Sequence, residues 1–199
     1  MSCLYHRNGF ELNIKGARVF LPARRTRKSA LRYFQNPFYF VAVNVDDFKK
    51  ALQLWASGVT VVTTTSEQLG PQGMTVTAFS SVSANPPQIL VCLNQNADTV
   101  NGIEASQYFA VNVLRADQQD VSNQFAGGAS QAERFANTAW TASASGSPLL
   151  DDSIVSLDCK VIDKVLAGSH WIVIGEIQET VCRTGEPLLY FSGAYRELN

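Results

Sequence analysis

The chain has 199 residues, 46% hydrophobic and 17% charged, with a formal net charge of -1. That is enough apolar material for one full core, and the near-neutral balance gives no overall pull toward nucleic acid or membrane. No apolar run approaches the roughly 18 residues of a bilayer span, and the four cysteines and two distant histidines, His6 and His170, argue against a disulfide framework or a zinc site.

The charge balance conceals an asymmetry. Residues 1–45 hold eight Lys or Arg against one acid, Glu11, while residues 46–199 hold eight against sixteen. The stretch LPARRTRKSALR (21–32) is basic and nearly free of acids, as an organelle transit peptide is, but has no hydrophobic secretory core. A nucleic-acid arm would need a binding fold that these arginines lack. Residues 1–45 are therefore expected to be a disordered or extraneous leader, and residues 46–199 the working domain.

In that domain, Phe48, Ala51, Leu52 and Trp55 follow i, i+3, i+4, i+7 spacing. This predicts an amphipathic helix capped by Asp46 or Asp47, ended by Gly58, with those four residues inward. Val59–Thr65 is β-branched at every position and predicts a strand. Leu69–Gly73 reads as a turn on its Gly, Pro and Gly, and the Asn85-Pro86-Pro87 break precedes a buried strand over Ile89–Leu93. A helix over Asp98–Gln107 with Val100 and Ile103 inward comes next, then a strand over Tyr108–Leu114 and a helix opened by Asp117 and running to Phe125. Gly127–Pro148 is rich in Gly, Ala and Ser and reads as a surface excursion, with a short helix at Glu133, Arg134 and Phe135.

Beyond it the pattern is β to the end. Leu157, Cys159 and Val161 alternate with Ser156, Asp158 and Lys160, Gly168-Ser169 turns the chain, and strands follow over Trp171–Cys182 and Pro187–Phe191. Cysteines inside such runs read as small buried hydrophobes in a reducing, cytoplasmic compartment. Short connections and alternating faces favour a mainly β, α+β fold: a mostly antiparallel barrel with a few flanking helices.

Several chemistries lack their motifs. There is no G-x-G-x-x-G after a strand, no phosphate loop and no G-x-S-x-G elbow. The paired acids Asp46-Asp47 and Asp151-Asp152 stand where caps and turns belong rather than as a glycosidase pair. What remains is GMTVTAFSSVSANPPQILVCLN (73–94), whose left half interleaves Thr75, Thr77, Ser80, Ser81 and Ser83 with apolar residues. A strand end bearing backbone N–H groups and short hydroxyls can hold an anion without long cations; it can equally be a solvent-facing strand.

That segment, with FKKALQLWASGVTVVTT before it and YFAVNVL, Gly168-Ser169-His170 and PLLYFSGAYREL after it, resembles the flavin reductase-like family over residues 46–199. The resemblance implies a split β-barrel binding FMN, with FAD open, and hydride transfer from NADH or NADPH to flavin N5. It places Thr75, Val76, Thr77 and Ala78 beside the polar flavin edge, Ser80 and Ser81 at the ribityl chain and phosphate, and Asn94, Asn96 and Thr99 at the phosphate end. Family members often carry serine where this chain has Ala97, so Asn96 or Thr99 must compensate. His170 is implied at the nicotinamide as the catalytic histidine, and Tyr195, with Tyr190 and Phe191, near the flavin. The resemblance also implies a homodimer and a partner oxygenase receiving reduced flavin; composition and charge give no expectation of a metal, a membrane or nucleic acid. An FMN-retaining electron-transfer flavoprotein and a non-enzymatic flavin-binding protein stay open.

Overall fold

The computed structural model describes residues 3–6, 9–14, 17–22 and 43–198, and the chain divides into two units, Met1–Phe48 and Lys49–Asn199. The first unit carries an antiparallel meander of β1 (Cys3–His6), β2 (Gly9–Ile14) and β3 (Ala17–Pro22). Of the basic stretch 21–32, residues 23–32 lie outside the described residues.

Helix α1 (Val45–Gln53) forms where the apolar spacing predicts it, but two details differ. Asn44, not Asp46 or Asp47, supplies the cap, its Oδ1 accepting the Asp47 N–H at 2.8 Å. The helix stops at Gln53, before Trp55, and none of its residues is buried. Phe48 and Leu52, expected inward, stand 55% and 51% exposed, and Trp55 is 72% exposed.

The second unit is built on one seven-stranded, all-antiparallel sheet of order β6-β5-β9-β12-β13-β8-β7. Its strands are β5 (Thr60–Ser66), β6 (Gly70–Val76), β7 (Phe79–Ala84), β8 (Pro87–Asn94), β9 (Tyr108–Val113), β12 (Val155–Ala167) and β13 (His170–Cys182). The two edge strands, β6 and β7, are consecutive in the chain and joined by Thr77 and Ala78 alone. Opposite ends of a sheet can be linked by two residues only if the sheet curls round. The result is a barrel left open along one seam, and the hydroxyl-rich segment is that seam.

Two cores lie on opposite faces. Val62, Val91, Phe109, Val111 and Val173 fill the barrel interior, while Val61, Leu114, Phe125, Phe135 and Leu150 pack behind it. Successive residues of β5 thus enter different cores, so its burial is continuous rather than alternating. Each fully buried Val or Phe is worth roughly 1.5–3 kcal/mol of transfer free energy. The three buried threonines of β5 spend their hydroxyls on the carbonyl oxygens of Val76, Pro148 and Tyr108.

Against the rear core lie α3 (Gln119–Ala126), α4 (Gln131–Ala136) and the hairpin of β10 (Trp140–Ala142) and β11 (Pro148–Leu150). Gly127–Pro148 is therefore not simply a surface excursion: Phe135 and Ser147–Leu150 are buried. This packing explains a second departure. Ser156 and Asp158, expected to face solvent, are each 1% exposed. Ser156 Oγ donates to Asn112 Oδ1 at 2.9 Å, and Asp158 accepts from Ser145 Oγ at 2.6 Å. A small sheet of β4 (Ser57–Gly58), β14 (Leu189–Phe191) and β15 (Ala194–Arg196) completes the unit.

Other boundaries moved for local reasons. Gly70–Gly73 is the first half of β6, not a turn; an edge strand tolerates Pro71, and a Cβ on Gly73 would come 2.8 Å from Phe125. Asp117 pairs bidentately with Arg115 instead of opening α3. Cys159 is buried, Cys92 half-buried and Cys182 exposed, so the buried reading fails for Cys182; all three are free thiols.

Candidate functional site

Beside the seam the second unit has a cleft of about 190 Å³. One wall is the end of β6, with Met74 and Thr75; another is the turn Asn96-Ala97 and the start of α2 (Asp98–Ser106); the third is Phe125 and Ala126 of α3 with Gln131 and Arg134 of α4. This is smaller than the roughly 300–1,000 Å³ of a complete small-molecule pocket. It suits one charged end of a ligand whose remainder lies along the seam.

The lining brings one cationic residue, Arg134, and one acid, Asp98, together with the hydrogen-bond donors of a helix start. Ala97 is the N-cap of α2 and has no side chain to cap it. The first N–H groups of any helix lack intrahelical partners, and those of Asp98 and Thr99 make no hydrogen bond among the described residues. The missing hydroxyl at Ala97 therefore leaves donors unclaimed at the cleft wall, where the helix dipole also favours negative charge. Thr99 Oγ1 is fully buried and has no hydrogen-bond partner among the described residues. Buried hydroxyls in folded proteins are nearly always satisfied, and the residue that carries this orphan is one of those around the cleft.

Arg134 supplies a positive charge. Its Nη1 donates to the Gly73 carbonyl oxygen at 2.8 Å and its Nε to that of Ala129 at 3.1 Å, so its direction is fixed by backbone. It forms no ion pair among the described residues. Gln131 completes the grip: its Oε1 accepts the Gly73 N–H at 2.9 Å. Helix α4 starts where it does because Ser130 and Glu133 form a capping box, and hydrogen bonds from Ser130 hold the Glu133 carboxyl below the usual range.

Of the residues singled out from the sequence, Thr75, Asn96 and Thr99 line this cleft. Thr75 Oγ1 donates to the Ser122 carbonyl oxygen at 2.6 Å, keeping only acceptor capacity for a ligand. Val76 is buried in the barrel core. Thr77 and Ala78 are exposed at the seam, and their N–H groups have no hydrogen-bond partner among the described residues. Ser80 and Ser81 are exposed along β7, outside the cleft, with Ser80 Oγ donating to the Ser81 carbonyl oxygen at 3.1 Å. Asn94 stands opposite His170 in the β8–β13 ladder, and its Oδ1 accepts the Asn96 N–H at 3.0 Å, shaping the cleft turn.

His170 is exposed at the tip of the β12–β13 hairpin, whose Ser169 carbonyl oxygen accepts the Gln95 N–H at 3.0 Å. The hairpin tip is thereby fastened to the turn that walls the cleft. Tyr195 lies behind α3, its hydroxyl donating to Asn123 Oδ1 at 2.8 Å and lying 2.9 Å from Ser122 Oγ. Arg134, Gln131 and Phe125 were missed as site residues. The S-x-x-E pattern at Ser130–Glu133 was the available signal that an ordered helix begins there. No group of three or more metal-ligating side chains occurs among the described residues, and no helix there is long and apolar enough to cross a membrane.

A family model described as flavin reductase like domain matches residues 52–199. An FMN reductase (NADH) RutF of Pseudomonas syringae pv. syringae is 38% identical over 158 residues, covering 79% of this chain and 88% of the relative. The reductase component of a 4-nitrophenol 4-monooxygenase/4-nitrocatechol 2-monooxygenase from Rhodococcus opacus is 35% identical, over 75% of this chain and 78% of the relative. Among solved structures, an NADH:FAD oxidoreductase of Streptomyces globisporus in complex with NAD and FAD fragments superposes with a TM-score of 0.73 at 29% identity, covering 79% of this chain and 96% of the other.

Proposed function

The chain belongs to the flavin reductase-like family, and from this premise we propose that it is an NADH-dependent flavin reductase that supplies reduced flavin to a partner monooxygenase. The observation that carries the reading beyond family membership is the cleft: the uncapped N-terminus of α2 and Arg134 line one pocket, and together they would suit a phosphate. The relatives' FMN, FAD and monooxygenase associations support the assignment of flavin and partner.

The donor set fits FMN. Thr99, Arg134 and the N–H groups of Asp98 and Thr99 would hold its phosphate, with Asn96 at the rim. The N–H groups of Thr77 and Ala78, without a partner among the described residues, would meet the polar edge of its ring system along the seam. A bound flavin supplies the hydride-accepting chemistry. The protein's part is to bind, align and shield, and fixed N–H donors at an edge where negative charge grows favour reduction without a general base. His170, on the fastened hairpin tip, would contact the nicotinamide carboxamide and orient the dinucleotide.

The exposed apolar side chains of Phe48 and Leu52 on α1, with Trp55 just beyond its end, support a homodimer. The free thiols of Cys92, Cys159 and Cys182 suit a reducing, cytoplasmic compartment. The test is to follow NADH and NADPH oxidation by the purified chain with FMN, FAD and riboflavin. Oxidation that rises with added free FMN supports a reductase using flavin as substrate. Flavin binding without oxidation of either nucleotide would sink the assignment.

A further inference from the structure

The tip of the β12–β13 hairpin carries a hydrogen bond that the reading above does not use. Ser169 Oγ lies 2.9 Å from Nδ1 of His170. The Ser169 carbonyl oxygen is engaged by the Gln95 N–H at 3.0 Å, and Gly168 adopts φ 61° to make the tight turn. The backbone of Ser169 is thus tied to the cleft turn while its side chain holds the imidazole. Among the described residues no other group hydrogen-bonds either the Ser169 hydroxyl or a His170 ring nitrogen.

We propose that Ser169 is a positioning residue whose hydroxyl donates to Nδ1 of His170, holding the neutral ring in the tautomer with its proton on Nε2 and presenting that N–H to the carboxamide oxygen of the reduced nicotinamide. The proposal rests on the reading of His170 as the nicotinamide contact. A neutral imidazole has one donor and one acceptor nitrogen, and the bond made at one decides the role of the other. The opposite arrangement, Nδ1–H to the serine oxygen, would turn an acceptor toward the carboxamide oxygen. An exposed histidine also samples several rotamers, and a neighbour that fixes ring and tautomer removes part of the ordering cost of binding.

Two measurements test this. The first needs neither flavin nor nucleotide: long-range proton–nitrogen correlation of the imidazoles in mildly alkaline buffer, which reads the tautomer directly. With His6 the only other histidine, His170→Ala assigns the signals. The wild-type ring should show the Nε2–H pattern, Ser169→Ala should average toward both tautomers, and Ser169→Thr should restore it. The second is a kinetic cycle. Ser169→Ala should raise KM for NADH about 2- to 12-fold, the range of one net hydrogen bond, with kcat and flavin affinity within about twofold. In a His170→Ala background it should add nothing.

An unchanged tautomer pattern in Ser169→Ala, or a KM effect that persists undiminished without His170, overturns the proposal. If His170→Ala impairs NADH use and Ser169→Ala does not, only the Ser169 role falls. If His170→Ala leaves KM unchanged, the nicotinamide assignment of His170 falls and this proposal with it.

Discussion

Replacing Arg134 by Met keeps most of the side-chain stem but removes the guanidinium from the cleft. Two consequences can be separated. Structurally, the Gly73 and Ala129 carbonyl oxygens lose their 2.8 and 3.1 Å donors. Both bonds are half-buried and water replaces them in part, so the expected cost is about 1–2 kcal/mol, or roughly 2–8 °C in Tm for a unit of this size. Functionally, one charge-assisted hydrogen bond to phosphate is lost, about 1.5–3 kcal/mol, which corresponds to a roughly 10- to 150-fold higher Kd for FMN. Riboflavin has no phosphate, and its Kd should stay within about twofold. Titrating FMN and riboflavin by flavin fluorescence at moderate salt, well below the lowered Tm, gives both constants. Arg134→Lys should fall between wild type and Arg134→Met, with a steeper salt dependence. The reasoning is refuted if FMN and riboflavin weaken equally, or if FMN binding is untouched.

Two further outcomes concern the fold. Asn112→Ala should lower stability by about 3 kcal/mol or more, read from the urea midpoint, because the fully buried amide accepts from Leu150 N–H and Ser156 Oγ at 2.9 Å each and donates to Val61 and Thr63; a loss below about 1 kcal/mol would contradict its place at the centre of that network. Burial pushes the Cys159 thiol up to about 12. The fold therefore holds its proton more tightly than the unfolded chain, with its ordinary thiol pKa of ~8.5, and the associated stability is intact below that pH and lost as pH rises toward about 12, at about 1.4 kcal/mol per unit. Stability against pH should fall less steeply on this alkaline limb in Cys159→Ala; identical slopes would mean that the thiol ionises freely in the fold.

The barrel was legible where one signal dominated. Seven consecutive β-branched residues, Val59–Thr65, could only be a strand, and Gly168-Ser169 could only be the turn of a long hairpin. β6 was not legible, because Gly70, Pro71 and Gly73 are turn-formers by local propensity. Tertiary context overrides that: the edge position forgives the proline, and the ring of Phe125 needs a bare Cα at Gly73. Burial of Ser156 and Asp158 was hidden for a similar reason, since alternation reports one covered face and this sheet has two. Of the residues lining the cleft, Thr75 was picked out by its hydroxyl in a hydroxyl-rich strand, and Asn96 and Thr99 by the family resemblance alone. Arg134 was not, because it lies in a stretch without periodicity and enters the cleft only once α4 folds back onto β6.

The grip of α4 on Gly73 has a consequence beyond ligand binding. An edge strand offers unpaired backbone groups to any extended peptide, and that is how sheets recruit further strands into aggregates. Gln131 takes the Gly73 N–H and Arg134 its carbonyl oxygen, so two side chains stand where a neighbouring strand would dock. The arginine of the cleft thus also covers a strand edge that would otherwise be open to pairing. Arg134→Met is expected to lower the yield of soluble protein, so its activity is to be compared at equal concentrations of purified chain and not in crude extract.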